Sequence, residues 1–179
     1  MNIFEAIEKK DNILLKKLII KETNIDKNIK NIYGISAIGA ACFVGDIDCF
    51  EILLVNYFPL TIITLNSYTT YPIHVLSSRG HIECLDLLLK RGYPVNLFDS
   101  FGRTALWEAS RCGKIECIKL LLQFGADIDL QDDSGNTALH ASVLGNEVKA
   151  YNMLIEVGAN ISIKNDDGYF AYELFKLRS

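Results

Sequence analysis

The stretch GRTALWEASRCGKIECIKLLLQFGADID (residues 102–129) aligns without a gap with GNTALHASVLGNEVKAYNMLIEVGANIS (residues 135–162). The two stretches begin 33 residues apart, and Gly168 opens a partial third copy after the same interval. Earlier copies are YPIHVLSSRGHIECLDLLLKRGYPVN (71–96) and GISAIGAACFVGDIDCFEILLVNY (34–57), which are offset by 35 residues. We therefore place two extra residues in the loop after Tyr57. A fixed period of this length predicts an array of small structural repeats.

Each copy reads as a turn, a short helix, a glycine, a second helix and a glycine-led extended stretch. The first helix of three copies begins at a hydroxyl that can accept a backbone N–H, at Ser36, Thr104 and Thr137. In the remaining copy Pro72 occupies the first helical turn, where its missing N–H costs nothing. A residue that tolerates left-handed backbone ends each first helix. These residues are Gly45, Gly80, Gly113 and Asn146.

The second helices carry apolar side chains at helical spacing, which predicts one buried face in each copy. The positions are Ile47, Phe50, Leu53 and Leu54; Ile82, Leu85, Leu88 and Leu89; Ile115, Ile118, Leu121 and Leu122; and Val148, Tyr151, Leu154 and Ile155. A single helix pair cannot enclose such a face, so neighbouring copies must stack. The sequence therefore predicts an all-α solenoid of helix–turn–helix repeats joined by short β-hairpin loops.

The 33-residue pattern resembles the ankyrin repeat, whose Gly, Thr, Pro, Leu, His and small residues are approximated by TYPIHVLSSRGH, GRTALWEASRCG and GNTALHASVLGN. The sequence departs from the family pattern at Thr69, Tyr71 and Trp107 and at the insertion after Tyr57. The resemblance implies a single ankyrin domain over residues 1–179. We expect an N-terminal cap at 1–30, repeats at 31–65, 66–98, 99–131 and 132–164, and a C-terminal cap at 165–179.

Composition and charge exclude several classes of function. The net charge of −4 argues against nucleic-acid binding, which usually requires a strongly basic face. The most apolar window, EILLVNYFPLTIITL, is interrupted by Asn56 and Pro59, so we expect no membrane segment. Five cysteines, an odd number, favour a reducing compartment. Since the N-terminus has no signal-peptide pattern, we expect an intracellular monomer in the cytoplasm or the nucleus.

The cysteines admit two interpretations. Cys49, Cys84 and Cys117 each follow the glycine that ends the first helix by four residues, and we expect them to be small buried residues of the second helices. The alternative is a thiol- or metal-dependent protein that uses Cys112, His81 and Cys84. A structural zinc site needs four ligands, and no second closely spaced pair projects to the same place as His81 and Cys84. We therefore expect neither a metal nor a cofactor.

Other polar residues also have a structural interpretation. The resemblance implies that His74 and His140 make hydrogen bonds near the repeat junctions. Trp107 stands at the same position in its own repeat and is interpreted as a bulky packing substitute. Ser110 occupies a position that holds Val143 in another copy, which argues against a nucleophile. We expect no enzymatic activity.

Function is expected at the positions that the stack leaves free. In ankyrin proteins these are the hairpin tips and the exposed end of the first helix, which form a concave face. Aromatic and Arg residues there are typical of interface hot spots. The candidate partner-binding residues are Tyr33, Ile35, Phe43, Tyr68, Arg79, Phe101, Arg103, Arg111 and Cys112. We predict a non-catalytic module that binds another protein as an adaptor or inhibitor. The alternatives are that the tip aromatics pack on neighbouring hairpins, or that the array belongs to a larger assembly.

Overall fold

A computed structural model describes residues 2–21, 26–60, 62–63 and 69–176. The helices are α1 (Ile3–Glu8), α2 (Asn12–Lys21), α3 (Ala37–Val44), α4 (Ile47–Val55), α5 (Pro72–Arg79), α6 (Ile82–Lys90), α7 (Ala105–Arg111), α8 (Ile115–Gln123), α9 (Ala138–Leu144) and α10 (Val148–Glu156). A 3₁₀-helix follows at Ala171–Phe175. None of the helices in these ranges has the length and apolar character needed to span a bilayer.

The helices form two layers that share one core. The first layer contains α1, α3, α5, α7 and α9, and the second contains α2, α4, α6, α8 and α10. Fully buried side chains from both layers fill the space between them, including Ile38, Leu76 and Leu106 from the first layer and Phe50 and Ile118 from the second. The predicted all-α solenoid is confirmed.

The predicted helix starts are largely observed. Ser36 Oγ accepts from the Gly39 N–H, and Thr104 Oγ1 accepts from the Trp107 N–H, both at 3.2 Å. The start of α9 differs, because the Thr137 N–H donates to Nδ1 of a histidine three residues later, at 3.3 Å. The residues that end the first helices have left-handed backbone, as predicted. Their φ angles are +71° at Gly45, +80° at Gly80, +63° at Gly113 and +61° at Asn146.

The predicted buried face of the second helices is observed in the central repeats. In the last repeat the prediction is partly wrong. Leu154 is fully buried and Tyr151 packs edge-on against Phe175 at 5.1 Å between ring centroids. Val148 and Ile155, which the periodicity predicts to be buried, are 51% and 39% exposed. The reason is that the 3₁₀-helix after α10 packs on α9 in the first layer, so in the described part of the chain no further second helix covers α10.

The ends and the insertion follow the same construction. The helices α1 and α2 stack on α3 and α4, with Ala6 and Leu15 fully buried and Leu18 and Ile19 packed at the edge. In the region of the insertion, the strands β1 (Ile62–Ile63) and β2 (Thr69–Thr70) form an antiparallel pair. The longer repeat therefore has a paired hairpin between α4 and α5.

Candidate partner-binding surface

One loop geometry recurs in four of the hairpins, and sequence reasoning missed it. A side-chain Oδ1 accepts the backbone N–H four residues further along, and in three hairpins also the N–H two residues along, at 2.8–3.0 Å. The accepting residues are Asn31, Asp99, Asp132 and Asn165. Asp and Asn favour such turns because their short side chains can reach the backbone. The available signal was an Asp or Asn three residues before each turn glycine.

Backbone hydrogen bonds also link each hairpin to the next one. The Asp133 N–H donates to the Phe101 carbonyl oxygen at 3.0 Å, and the Asp166 N–H donates to that of Ser134 at 3.1 Å. The Ser100 N–H donates to the carbonyl oxygen of Thr69 at 3.1 Å. These bonds hold the hairpins side by side from Thr69 to Asp166.

In the first repeat an apolar hollow joins the hairpin to the first helix. Tyr33 is 53% exposed. With Ile35, Phe43 and Val44 it lines a hollow of about 200 Å³, beside Glu8. The hollow therefore brings together three of the residues expected to bind a partner. Tyr68, the next expected tip aromatic, lies outside the described residues.

Arg79 connects the first repeat to the second. It is exposed at the end of α5, and its guanidinium carbon lies 4.6 Å from the centroid of the Phe43 ring. A cation over an aromatic face is attracted by the ring quadrupole. Arg79 thus extends the apolar hollow with a positive charge.

Arg103 and Arg111 belong to a four-residue ion-pair cluster in the third repeat. Arg103 Nε donates to Asp99 Oδ2 at 2.9 Å, and Arg103 Nη1 lies 3.0 Å from Glu108 Oε1. Arg111 Nη2 lies 3.4 Å from Glu108 Oε2. Two cations and two anions balance in formal charge. The carboxylates were not among the residues expected from the sequence, although Asp99 follows the recurrent turn position.

Two aromatic rings support this cluster. The Arg103 guanidinium carbon lies 4.7 Å from the centroid of Phe101 and 5.4 Å from that of Trp107, and the Arg111 carbon lies 5.8 Å from Trp107. Trp107 is only 6% exposed, in agreement with its interpretation as a packing residue. Phe101 remains 39% exposed at the hairpin tip. The cluster thus links the hairpin tip to the end of α7.

The two histidines serve the repeat junctions. His74 Nε2 lies 3.0 Å from the Leu97 carbonyl oxygen and 2.9 Å from that of Arg103, and His140 Nε2 lies 3.1 Å from that of Tyr169. Burial lowers the pKa of both histidines from the ordinary value of 6.5. Both rings therefore act as neutral N–H donors that tie a first helix to the following hairpin.

The thiols are protected rather than activated. All five cysteines are free. Burial raises the pKa of Cys84 to about 12 and that of Cys117 to about 11. Burial also raises the pKa of the half-buried Cys112 thiol, and the opposing effect of the Arg111 charge is smaller. A reactive thiol needs a lowered pKa, so Cys112 lies on this surface without activation.

The remaining chemical candidates lie in packed positions. Ser110 Oγ donates to the Leu106 carbonyl oxygen at 2.7 Å. The His81 ring lies where a side chain on Gly45 would project, so this ring packs against the preceding repeat. Among the described residues no group of three or more His, Cys, Asp or Glu side chains could hold a metal ion.

Comparison with known proteins assigns the chain to a family. A family model described as ankyrin repeats, in three copies, matches residues 3–99 and 73–165. The chain is also similar to a protein named potassium channel AKT2/3 from Arabidopsis thaliana, with 47% identity over 38 residues. That match covers 21% of this chain and spans only 5% of the channel's length. The ankyrin model extends over residues 3–165, and the chain therefore belongs to the ankyrin-repeat family.

Proposed function

We propose that this protein binds another protein through one surface and acts without catalysis as an adaptor or inhibitor. Ankyrin repeats are generally protein–protein interaction modules. The candidate surface consists of the hairpin tips and the ends of the first helices. Its described members are Tyr33, Ile35, Phe43, Arg79, Phe101, Arg103, Arg111 and Cys112.

The observation that carries the proposal is an aromatic residue that the hairpin does not need. Phe101 and Ser134 stand at equivalent tips, and both hairpins are closed by the same side-chain-to-backbone hydrogen bonds. The backbone thus forms equally well around a serine. Phe101 is nevertheless a large, 39% exposed aromatic beside Arg103. Aromatic and Arg side chains are the types that contribute most to protein–protein hot spots.

The test compares two phenylalanines of similar exposure. Phe124 is 37% exposed at the end of α8 in the second layer and belongs neither to a hairpin tip nor to a first helix. The proteins captured from a lysate by the wild-type chain and by Phe124→Ala should match. Capture should fall at least about tenfold with Tyr33→Ala plus Phe101→Ala, as loss of hot-spot contacts predicts. Mass spectrometry of the captured proteins measures this difference.

The control is the thermal midpoint of each variant, which should remain close to that of the wild type because both positions are exposed. Equal capture by all three chains would contradict the proposal. So would a loss that accompanies unfolding of the double variant.

The proposal includes a monomer in the cytoplasm or the nucleus with no nucleic-acid partner. The five free cysteines support a reducing compartment. The alternative is that the array works within a larger protein. The similar potassium channel supports it, because the matching stretch is only 5% of that channel's length. Immunoblotting of a cell extract with an antibody against the array separates the two cases by the mass of the detected band, since the array alone has a mass of 20.1 kDa.

A further inference from the structure

We propose that the partner segment is an extended acidic peptide, in which one apolar residue and two carboxylates follow one another at three-residue intervals. This inference rests on the proposed function and specifies the chemistry of the partner. It depends on an apolar hollow, two guanidinium groups and the spacing of the repeats.

The hollow accepts the apolar residue. It is lined by Tyr33, Ile35, Phe43 and Val44. Its volume of about 200 Å³ is large enough for one aliphatic side chain. Glu8 lies at its edge and would repel a second carboxylate. The first repeat therefore favours an apolar group over an acidic one.

Arg79 provides the first cation. In the described part of the chain, no carboxylate forms an ion pair with it, and its neighbour is the Phe43 ring at 4.6 Å. The ring restricts the guanidinium without neutralising it. An arginine held in this way can bind a carboxylate through two parallel hydrogen bonds.

Arg111 provides the second cation, in the next repeat. Its side chain is 44% exposed and lies 3.4 Å from Glu108, whereas Arg103 approaches the same carboxylate to 3.0 Å and is 25% exposed. Arg103 also binds Asp99, so its charge is satisfied inside the repeat. Arg111 makes only the longer of the two contacts with Glu108. Its partly exposed guanidinium therefore keeps N–H donors that a ligand can use.

The repeat spacing sets the register of the peptide. Packed helices lie about 8–10 Å apart, and an extended chain advances about 3.3 Å per residue. Consecutive repeats are therefore contacted by every third residue of an extended peptide. The hollow, Arg79 and Arg111 belong to three consecutive repeats, which gives the order apolar, acidic, acidic in either chain direction.

The experiment is selection of random displayed peptides on the wild-type chain, followed by fluorescence anisotropy with synthetic peptides of the enriched sequences. We expect enriched peptides to carry an apolar residue and two carboxylates at three-residue intervals. Arg79→Gln and Arg111→Gln should each weaken binding about fivefold, the effect of one partly exposed ion pair. The matched control is Arg91→Gln, at the end of α6, whose side chain is 40% exposed and lies 3.5 Å from Glu51.

The outcomes distinguish the acidic-peptide proposal from the proposed protein-binding function. Acidic peptides whose binding falls with the two arginine variants, with added salt and with Glu→Gln in the peptide support the inference. Neutral or basic peptides that lose binding to Tyr33→Ala plus Phe43→Ala overturn it while the proposed function stands. Enriched peptides that bind every variant equally overturn both.

Discussion

The hairpins of the third and fourth repeats have the same backbone and different surfaces. Asp99 and Asp132 each accept two backbone N–H groups, and each hairpin donates to the preceding one. In the third repeat Asp99 also binds Arg103, which continues to Glu108. In the fourth repeat the residue at the position of Arg103 is Asn136, whose Oδ1 accepts from Asn165 Nδ2 at 3.0 Å.

This difference shows that the turn and the surface are specified by different residues. The aspartate forms the hairpin in both repeats, so it belongs to the scaffold. The residue four positions later determines whether the hairpin joins a charged cluster or the next hairpin. One repeat therefore gains a charged surface without a change in its backbone.

The largest expected effect comes from removing the aspartate that serves both purposes. Asp99→Ala removes the carboxylate that accepts two backbone N–H groups and leaves Arg103 with Glu108 alone, which should lower the free energy of unfolding by about 3 kcal/mol. This is the lower end for a broken buried pair, because Arg103 keeps one partner and is partly exposed. Asp132→Ala removes only the turn contacts and should cost about 1 kcal/mol. Urea denaturation of both variants measures the difference.

An asparagine at each position separates the turn from the charge. Asn31 and Asn165 form the same turn elsewhere in the chain, so the amide can replace the carboxylate as the backbone acceptor. Asp132→Asn should therefore be almost neutral, while Asp99→Asn should remain destabilised. Equal stability of the two asparagine variants would show that the ion pair contributes nothing.

A smaller effect is expected where the first helices of these repeats end. Cys112 and Gly145 are equivalent, but a Cβ on Gly145 would overlap the Arg111 carbonyl oxygen. Gly145→Ala should cost about 1–3 kcal/mol through overpacking. Cys112→Ala, which keeps its Cβ, should change stability by about 0.5 kcal/mol or less. Thermal unfolding compares them, and an unchanged midpoint for Gly145→Ala would refute the close approach.

The fold was predictable because the same signal occurs in every copy. A single Gly113 or Thr104 is weak evidence for a helix boundary, but recurrence at one interval makes the assignment secure. The ends were harder, as Val148 and Ile155 show: their pattern matches that of buried residues, and burial depends on whether a neighbour exists to cover them. Periodicity describes a repeat and carries no information about the element that packs against its outer side.

The candidate surface was less predictable for a related reason. Alignment identifies Arg103 as a residue outside the repeat pattern, but its pairing with Glu108 depends on side-chain directions that one sequence does not give. Asp99 was accessible in principle, since its position recurs as Asp or Asn. Its second contact, with the guanidinium, was not.

The smallest predicted effect is a dependence of stability on pH that the second and fourth repeats have and the third lacks. Trp107 occupies the position of His74 and His140 and cannot titrate. His140 Nδ1 accepts from Thr137, so a proton on this nitrogen would turn an acceptor into a donor facing a donor. Burial lowers the pKa of both histidines below 6.5, so the unfolded chain binds protons first as the pH falls. The free energy of unfolding should thus be highest above pH 6.5 and decline below it.

The two histidines together should give a decline of about 1 kcal/mol between about pH 7.5 and 5.5, because one histidine can contribute at most about 1.4 kcal/mol for each pH unit below its unfolded pKa. Urea denaturation at several pH values measures the slope, which His74→Gln and His140→Gln should each reduce. Trp107→His should increase it, because it adds a third buried imidazole to the layer. A slope that survives in the double glutamine variant would assign the dependence to carboxylates. The histidines would then be hydrogen-bond donors whose titration does not affect folding.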